Sequence, residues 1–256
     1  MFKRLVIIAA IALTLAACDS PQEKAQSHYQ NGTQLFEEEN FVKAGLEFRN
    51  ALQLDETLAD AWYYLALVEE KEGKFREYAG DLYKTIELDT QHTNAQIRIA
   101  KLLLFSGRLD EAHEKSQLVM RQAPELADVW ALRAAVLYKK KDTAEAVTAA
   151  KKAVELEPFH IEASLIIAIQ NILDGKPDIA LEILGEALQT HEANVPLQLA
   201  RMQAFQKMGD KAGIESVFHA LIQANPDKTN FRNNLTQFYL EQGQTDKAEA
   251  EIRAIA

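Results

Sequence analysis

Apolar residues recur three and four positions apart along most of the chain, as in Trp62, Leu65 and Ala66 and again in Tyr78, Leu82 and Ile86. That spacing gives a helix one apolar face. Such stretches come in pairs with a glycine between the halves, so each pair predicts a helical hairpin. The pairs also repeat. The segment "ADAWYYLALVEEKEG" from Ala59 returns as "ADVWALRAAVLYKKKD" from Ala127, 68 residues later, with Trp62 and Trp130 in the same slot. Gly73, Gly107, Gly175, Gly209 and Gly243 are separated by 34, 68, 34 and 34 residues, and Pro124, Pro158 and Pro226 by 34 and 68. A frame opened at Ala25 starts further units at Ala59, Thr93, Ala127, Ile161, Val195 and Thr229 without insertion or deletion, which makes the unit 34 residues long and repeats it about seven times.

Within this frame Ala44, Phe48 and Ala51 reproduce the spacing A-x3-F-x2-A, Trp62 and Leu65 reproduce W-x2-L followed by the small Ala66, and Pro124 or Pro158 closes a unit. From Ala25 to the C-terminus the chain resembles the tetratricopeptide repeat (TPR) family. The resemblance implies an all-α fold, a TPR superhelical solenoid of antiparallel helical hairpins with a 34-residue period. Some units depart from the pattern: Met202 stands where Ala66, Ala100, Ala134 and Ala168 are small, and Tyr78 and Ile214 stand where Ala44, Ala112, Ala146 and Ala180 are small. Helices approach closely only over short side chains, so these units are expected to pack less regularly. The last unit stops at Ala256, six residues short and without a polar capping helix. Terminal repeats ordinarily carry one, and the expectation is a partner over that edge or a fragment of a longer protein.

The segment before the repeats has a different composition. Lys3 and Arg4 precede an apolar run from Leu5 to Ala17, thirteen residues broken only by Thr14, which is too short for a stable bilayer span and reads as a signal peptide over 1–17. Its end, Leu15-Ala16-Ala17-Cys18, resembles the bacterial lipobox, which implies cleavage before Cys18 and lipidation of that residue. Several acyl chains would give lasting membrane attachment. Asp19 after the lipidated cysteine resembles an inner-membrane retention signal, so a periplasm-facing lipoprotein of a Gram-negative envelope is expected, at the inner rather than the outer membrane. Residues 18–24 read as the lipidated cysteine and a short tether reaching roughly 20 Å.

The full chain carries 28 basic and 38 acidic residues, a net charge of −10. Loss of Lys3 and Arg4 with the signal leaves −12, of which residues 19–90 hold −9 from 16 acids and 7 bases. This balance argues against nucleic acid as a partner and places the acidity beside the membrane. Cys18 is the one cysteine, so the chain has no internal disulfide, thiol nucleophile or thiolate metal site. The six histidines never fall three or four apart, and no GxSxG, GxxxxGK[ST] or GxGxxG occurs. The reading is of a non-enzyme with no cofactor and no metal.

Function then falls to the surface that stacked hairpins create. In the family that surface is a concave groove lined by the first helix of each hairpin. The resemblance places Tyr29, Tyr63, Leu67, Ile97, Phe105, Tyr138, Leu165, Ile169 and Leu173 in it. The helix "IEASLIIAIQNILDG" leaves almost no polar face, and is either buried among neighbouring units or a ligand-binding strip. The chaperone-binding carboxylate clamp of some relatives needs lysine and asparagine where this chain has Tyr29 with Thr33 and Tyr63 with Leu67. The reading is a lipid-anchored periplasmic scaffold that docks protein or peptide segments in the groove for an envelope export or assembly machine, of the exopolysaccharide or secretion kind. The alternative is direct binding of an exported glycan on Tyr29, Tyr63, Phe105 and Tyr138.

Overall fold

A computed structural model describes residues 20–254. The signal segment and Cys18 lie outside the described residues. Among these there are fourteen helices and no strand, and none of the helices is long and apolar enough to cross a membrane. The chain divides into two compact units, one ending at Thr90 and the other beginning at Gln91.

The first unit holds two hairpins, α1 (Pro21–Glu37) with α2 (Phe41–Leu54) and α3 (Ala59–Lys71) with α4 (Phe75–Leu88). Helix α1 begins four residues before the repeat frame, so part of the expected tether is helical. Pro21 occupies its first turn, and a reciprocal cap starts it: the Glu23 N–H donates to Ser20 Oγ at 3.2 Å, and the Ser20 N–H donates to Glu23 Oε2 at 2.7 Å. Phe48 of α2 is fully buried among Ala44, Ala51, Leu65 and Val68. Removing one such ring from water is worth roughly 2 to 3 kcal/mol.

The second unit holds five hairpins: α5 (Thr93–Phe105) with α6 (Leu109–Gln122), α7 (Ala127–Lys139) with α8 (Thr143–Leu156), α9 (Ile161–Leu173) with α10 (Pro177–Thr190), α11 (Val195–Met208) with α12 (Lys211–Ala224), and α13 (Thr229–Glu241) with α14 (Thr245–Arg253). Each helix packs on the next. In addition α5 touches α7, α7 touches α9 and α9 touches α11, whereas successive second helices make no comparable contact. First helices therefore form the inner layer of this unit. Alanines dominate the α7–α8 seam, with Ala131, Ala134, Ala146, Ala150 and Ala153 almost wholly buried. Of the seven hairpins, α11 and α12, which carry Met202 and Ile214, touch each other least, in line with the expectation, whereas α3 and α4, which carry Tyr78, pack closely. Met202 and Ile214 are both buried, and Gly213 leaves room for the ring of Phe205, which lies where a Cβ would stand.

All seven hairpins turn the same way. The N–H groups of Asn40, Lys74, Arg108, Asp142, Lys176, Asp210 and Gln244 each donate to the carbonyl five residues earlier, at 2.8 or 2.9 Å. This closure needs a left-handed residue just before the donor. Glycine supplies it five times, and Glu39 (φ 58°) and Lys141 (φ 71°) supply it in the other two. A Cβ in that conformation costs about 1 kcal/mol. Lys141→Gly is accordingly expected to raise stability by about 1 kcal/mol, and Gly175→Ala, whose new methyl would meet nothing within 4 Å, to lower it by a similar amount. Urea denaturation of the two variants checks both signs.

The recurring tryptophan has a bonding role. Trp62 Nε1 donates to the carbonyl of Glu56 at 2.9 Å, and Trp130 Nε1 to that of Pro124 at 2.7 Å, each six residues back. Gln198, in the same slot of its unit, donates from Nε2 to the carbonyl of Glu192 at 3.1 Å. A donor at this slot ties the loop between hairpins to the helix that follows it.

Candidate functional site

The inner layer of the second unit brings several of the sequence-derived groove residues to one face. Phe105, at the end of α5, is 94 % exposed, and Leu173, at the end of α9, is 67 % exposed. Tyr138 on α7 and Leu165 and Ile169 on α9 are half-buried, Tyr138 against the α7–α8 core and Leu165 against the core of α9 to α11. The two readings of the apolar helix α9 divide by residue. Ile166, Ile167 and Ile172 are absorbed into the packing, while Leu165, Ile169 and Leu173 keep surface. Ile97, at 5 % exposure, belongs to the packing rather than to an open wall.

A charged cluster borders this face. Lys101 Nζ of α5 reaches past α7 to Glu162 Oε1 of α9 at 3.0 Å, and stands 3.9 Å from Asp128 Oδ1 of α7. His160, just before α9, is buried with its Nε2 3.3 Å from Asp128 Oδ1 and its Nδ1 3.5 Å from Glu162 Oε2. Burial opposes the charge on this imidazole. The hydrogen bond with Asp128 and the fields of Glu162, Asp128 and Glu157 outweigh burial, and its pKa stands above the ordinary histidine value. The hydrogen bond from His160, with the nearby charges of Lys101 and Arg98, holds the Asp128 carboxyl below its usual range against desolvation. Desolvation also acts against ionised Glu162, but Lys101 prevails and lowers its pKa. Asp128→Asn is expected to lower the His160 pKa, followed by NMR titration of the imidazole signals; an unchanged titration would mean that Asp128 does not hold the charge.

In the first unit the aromatic candidates engage one another. Tyr29 lies edge-on to Tyr64 with centroids 5.9 Å apart and 6.2 Å from Phe48, and Tyr63 meets Tyr64 edge-on at 5.7 Å. Burial, then Asp60 and Tyr64, push the Tyr29 hydroxyl up to about 12. Tyr29 also lines a cleft of ≈ 180 Å³ with Gln26, Leu58, Asp60 and Asp89. Leu67, at 8 % exposure, is closed into the packing and offers no surface.

Two features of the described residues escaped sequence reasoning. One is His160 and its carboxylates. The other is Glu69 of α3, which is 6 % exposed and whose pKa is raised by burial and by Asp81 of α4. Its slot holds Leu35, Leu103, Leu137, Phe205 and Tyr239 in other units, so a carboxyl at a buried position of the period was the available signal. Among the described residues no group of histidine, cysteine and carboxylate side chains is arranged to hold a metal ion. The lysine cluster around the α7–α8 turn is partly self-satisfied: Lys140 pairs with Asp110 at 2.8 Å and Lys152 with Glu155 at 2.9 Å.

Residues 97–161 match the family model described as Tetratricopeptide repeat. Among curated proteins, the chain is 26% identical over 230 residues to Protein O-mannosyl-transferase TMTC3 of Homo sapiens, covering 88% of this chain and 25% of that protein. It is 23% identical over 228 residues to DnaJ homolog subfamily C member 3 of Homo sapiens, covering 89% of this chain and 42% of that one. The chain thus spans a quarter to about two-fifths of these relatives. Among solved structures, PilF of Pseudomonas aeruginosa superposes with a TM-score of 0.64 at 19% identity, covering 85% of this chain and 99% of PilF. PilW, a type IV pilus biogenesis factor, superposes with a TM-score of 0.66 at 12% identity, covering 82% of this chain and 98% of PilW. At these identities the likeness is one of fold.

Proposed function

We propose that this chain, which belongs to the tetratricopeptide-repeat family, is a non-catalytic scaffold that docks a protein segment on the inner layer of its second unit. The observation that carries the reading is Phe105, a large apolar ring left 94 % exposed on a face that also presents Leu173. Exposed apolar side chains on a face that stacked hairpins offer to ligands mark a candidate partner site. The half-buried Tyr138, Leu165 and Ile169 keep further apolar surface on the first helices α7 and α9.

The scaffold is held at the periplasmic side of a Gram-negative envelope, at the inner membrane, by lipid on Cys18, and it serves an export or assembly machine. The charged, apolar and small-residue order of 1–17 ending in Leu15-Ala16-Ala17-Cys18 supports the anchor. The shared fold with PilF and PilW is consistent with an envelope machine, pilus assembly among the kinds. Direct glycan binding has less support, because in the first unit the ring of Tyr29 is already taken up by Tyr64 and Phe48.

Photo-crosslinking in the native host from a reactive amino acid at Phe105, with exposed Phe75 as the control position, tests the docking. Discrete protein adducts at Phe105 alone are expected; equal capture from both positions, or none, contradicts the reading. Palmitate labelling tests the anchor, and Cys18→Ser should abolish both the label and membrane attachment.

A further inference from the structure

The inner layer of the second unit stops short of its last hairpin. First helices pack side by side from α5 through α7 and α9 to α11, but α13 makes no comparable contact with α11, and α12 and α13 touch less than any other consecutive helices of the unit. A cleft of ≈ 350 Å³ opens there, near the lower end of the range for small-molecule sites. Its origin in the sequence is local. Gln206 stands where the three preceding units have Leu104, Tyr138 and Ile172, and Asn234 where they have Leu132, Ile166 and Ala200. Carboxamides gain nothing by leaving water unpaired, so these positions do not draw the two helices together.

The lining combines two kinds of group. Phe218 and the half-buried Phe238, with ring centroids 5.8 Å apart, supply an apolar side. Gln206, Asn234 and Gln237, all exposed, bring carboxamides from α11 and α13, and Glu241, which accepts from Gln237 Nε2 at 3.0 Å, brings a carboxylate. A carboxamide both donates and accepts, as a hydroxyl does, and a carboxylate accepts strongly from hydroxyls. None of the lining residues is basic, so nothing in the cleft answers a phosphate, a sulfate or a uronic acid. We infer that the cleft binds a neutral sugar ring of an uncharged glycan, with the apolar face of the ring against Phe238 and its hydroxyls on Gln206, Asn234, Gln237 and Glu241. A peptide fits less well. Its backbone offers one donor and one acceptor per residue, about 3.3 Å apart, whereas a sugar ring carries several hydroxyls around one apolar face, the mixture that the cleft presents over a short span. This site is separate from the rings of the first unit and does not depend on docking at Phe105.

NMR of the full chain with three neutral probes, cellohexaose, mannohexaose and chitohexaose, tests the assignment. At millimolar sugar at least one of them is expected to shift the side-chain amide signals of Gln206, Asn234 and Gln237 in a saturable way, and oligogalacturonate of the same length is expected to leave them unmoved. The double variant Gln206→Ala, Asn234→Ala should weaken that binding about tenfold, the loss of two ordinary hydrogen bonds. Glu241→Lys should make the cleft take oligogalacturonate. All three side chains are exposed, and an unchanged melting temperature shows that the variants fold.

Silence of all three sugars overturns the assignment, as do equal shifts with oligogalacturonate or undiminished binding by the double variant. Saturable shifts of the same amides by a neutral serine and glycine peptide carrying leucine, with none by sugar, would give the cleft to a protein segment and overturn it too. The variant Phe105→Ser, Leu173→Ser is expected to keep its sugar binding; a loss would place the sugar on the docking face instead.

Discussion

Gly32→Ala is expected to cost the first unit about 2 kcal/mol, the range for overpacking a filled core. A Cβ at this position would stand 2.6 Å from Cε1 and 2.7 Å from Cδ1 of Phe48. The ring cannot swing aside. Phe48 is fully buried, stacked on Tyr64 with centroids 5.5 Å apart and packed against Tyr29. Either the ring leaves its rotamer or α1 and α2 separate, and both sacrifice contacts in a close-packed interior. Gly80→Ala is the control, because a Cβ there meets nothing within 4 Å and alanine is the better helix former. Urea denaturation gives the loss, and hydrogen exchange of the α1 and α2 amides assigns it to the first unit. An unchanged midpoint for Gly32→Ala would show that the hairpin is not closed over that glycine.

The second large effect is one of pH: stability is expected to be greater near pH 5.5 than at pH 8. Burial, then the charge and hydrogen bond of Asp81, push the Glu69 carboxyl up to about 7. Burial raises Asp81 too, although the bond from Glu69 and the Arg49 guanidinium act the other way and Glu77 adds repulsion. The native chain thus keeps a proton that the unfolded chain releases near pH 4.5. The stabilisation is full below that value and is lost as pH rises toward 7, a difference on the order of 2 kcal/mol for one shared proton. His160 acts in the same direction at higher pH. Its raised pKa gives stability that is present below its unfolded value and lost as pH rises through the folded one. Asp128 and Glu162, whose pKa values are lowered, oppose this only as pH falls below the ordinary carboxylate range. Glu69→Gln should flatten the profile and raise stability at pH 8. A wild-type chain as stable at pH 8 as at 5.5 would mean that no proton is shared.

The hairpins, their period and their turns were legible because each rests on a local rule that recurs every 34 residues. Trp62 and Trp130 were visible as a repeated slot, but their bonds to the preceding loop were not. Glu39 and Lys141 show the limit of reading turns from glycine alone. The Schellman closure imposes the left-handed conformation on whatever residue stands there, and tertiary packing bears the cost. Met202 and Ile214 marked the hairpin whose helices touch least, but the seating of Phe205 over Gly213 was not visible one residue at a time.

The candidate surface was legible in phase but not in depth. Periodicity put Leu67, Ile97, Phe105 and Leu173 on equivalent faces, yet the first two are buried and the last two exposed. Depth depends on what neighbouring helices place over a residue, and one unit's spacing does not encode that. The His160 cluster was hidden for the same reason, since Lys101, Asp128 and Glu162 meet only when three first helices pack side by side.

The central claim is that Phe105 and Leu173 serve a partner and not the fold. Capture of envelope proteins by the full chain, compared with the variant Phe105→Ser, Leu173→Ser at matched folded concentration, tests it most directly. The account predicts a variant that melts as the wild type does, because both side chains are exposed, and that loses the proteins crosslinked from Phe105. A variant that unfolds early, or one that keeps those proteins undiminished, would contradict it.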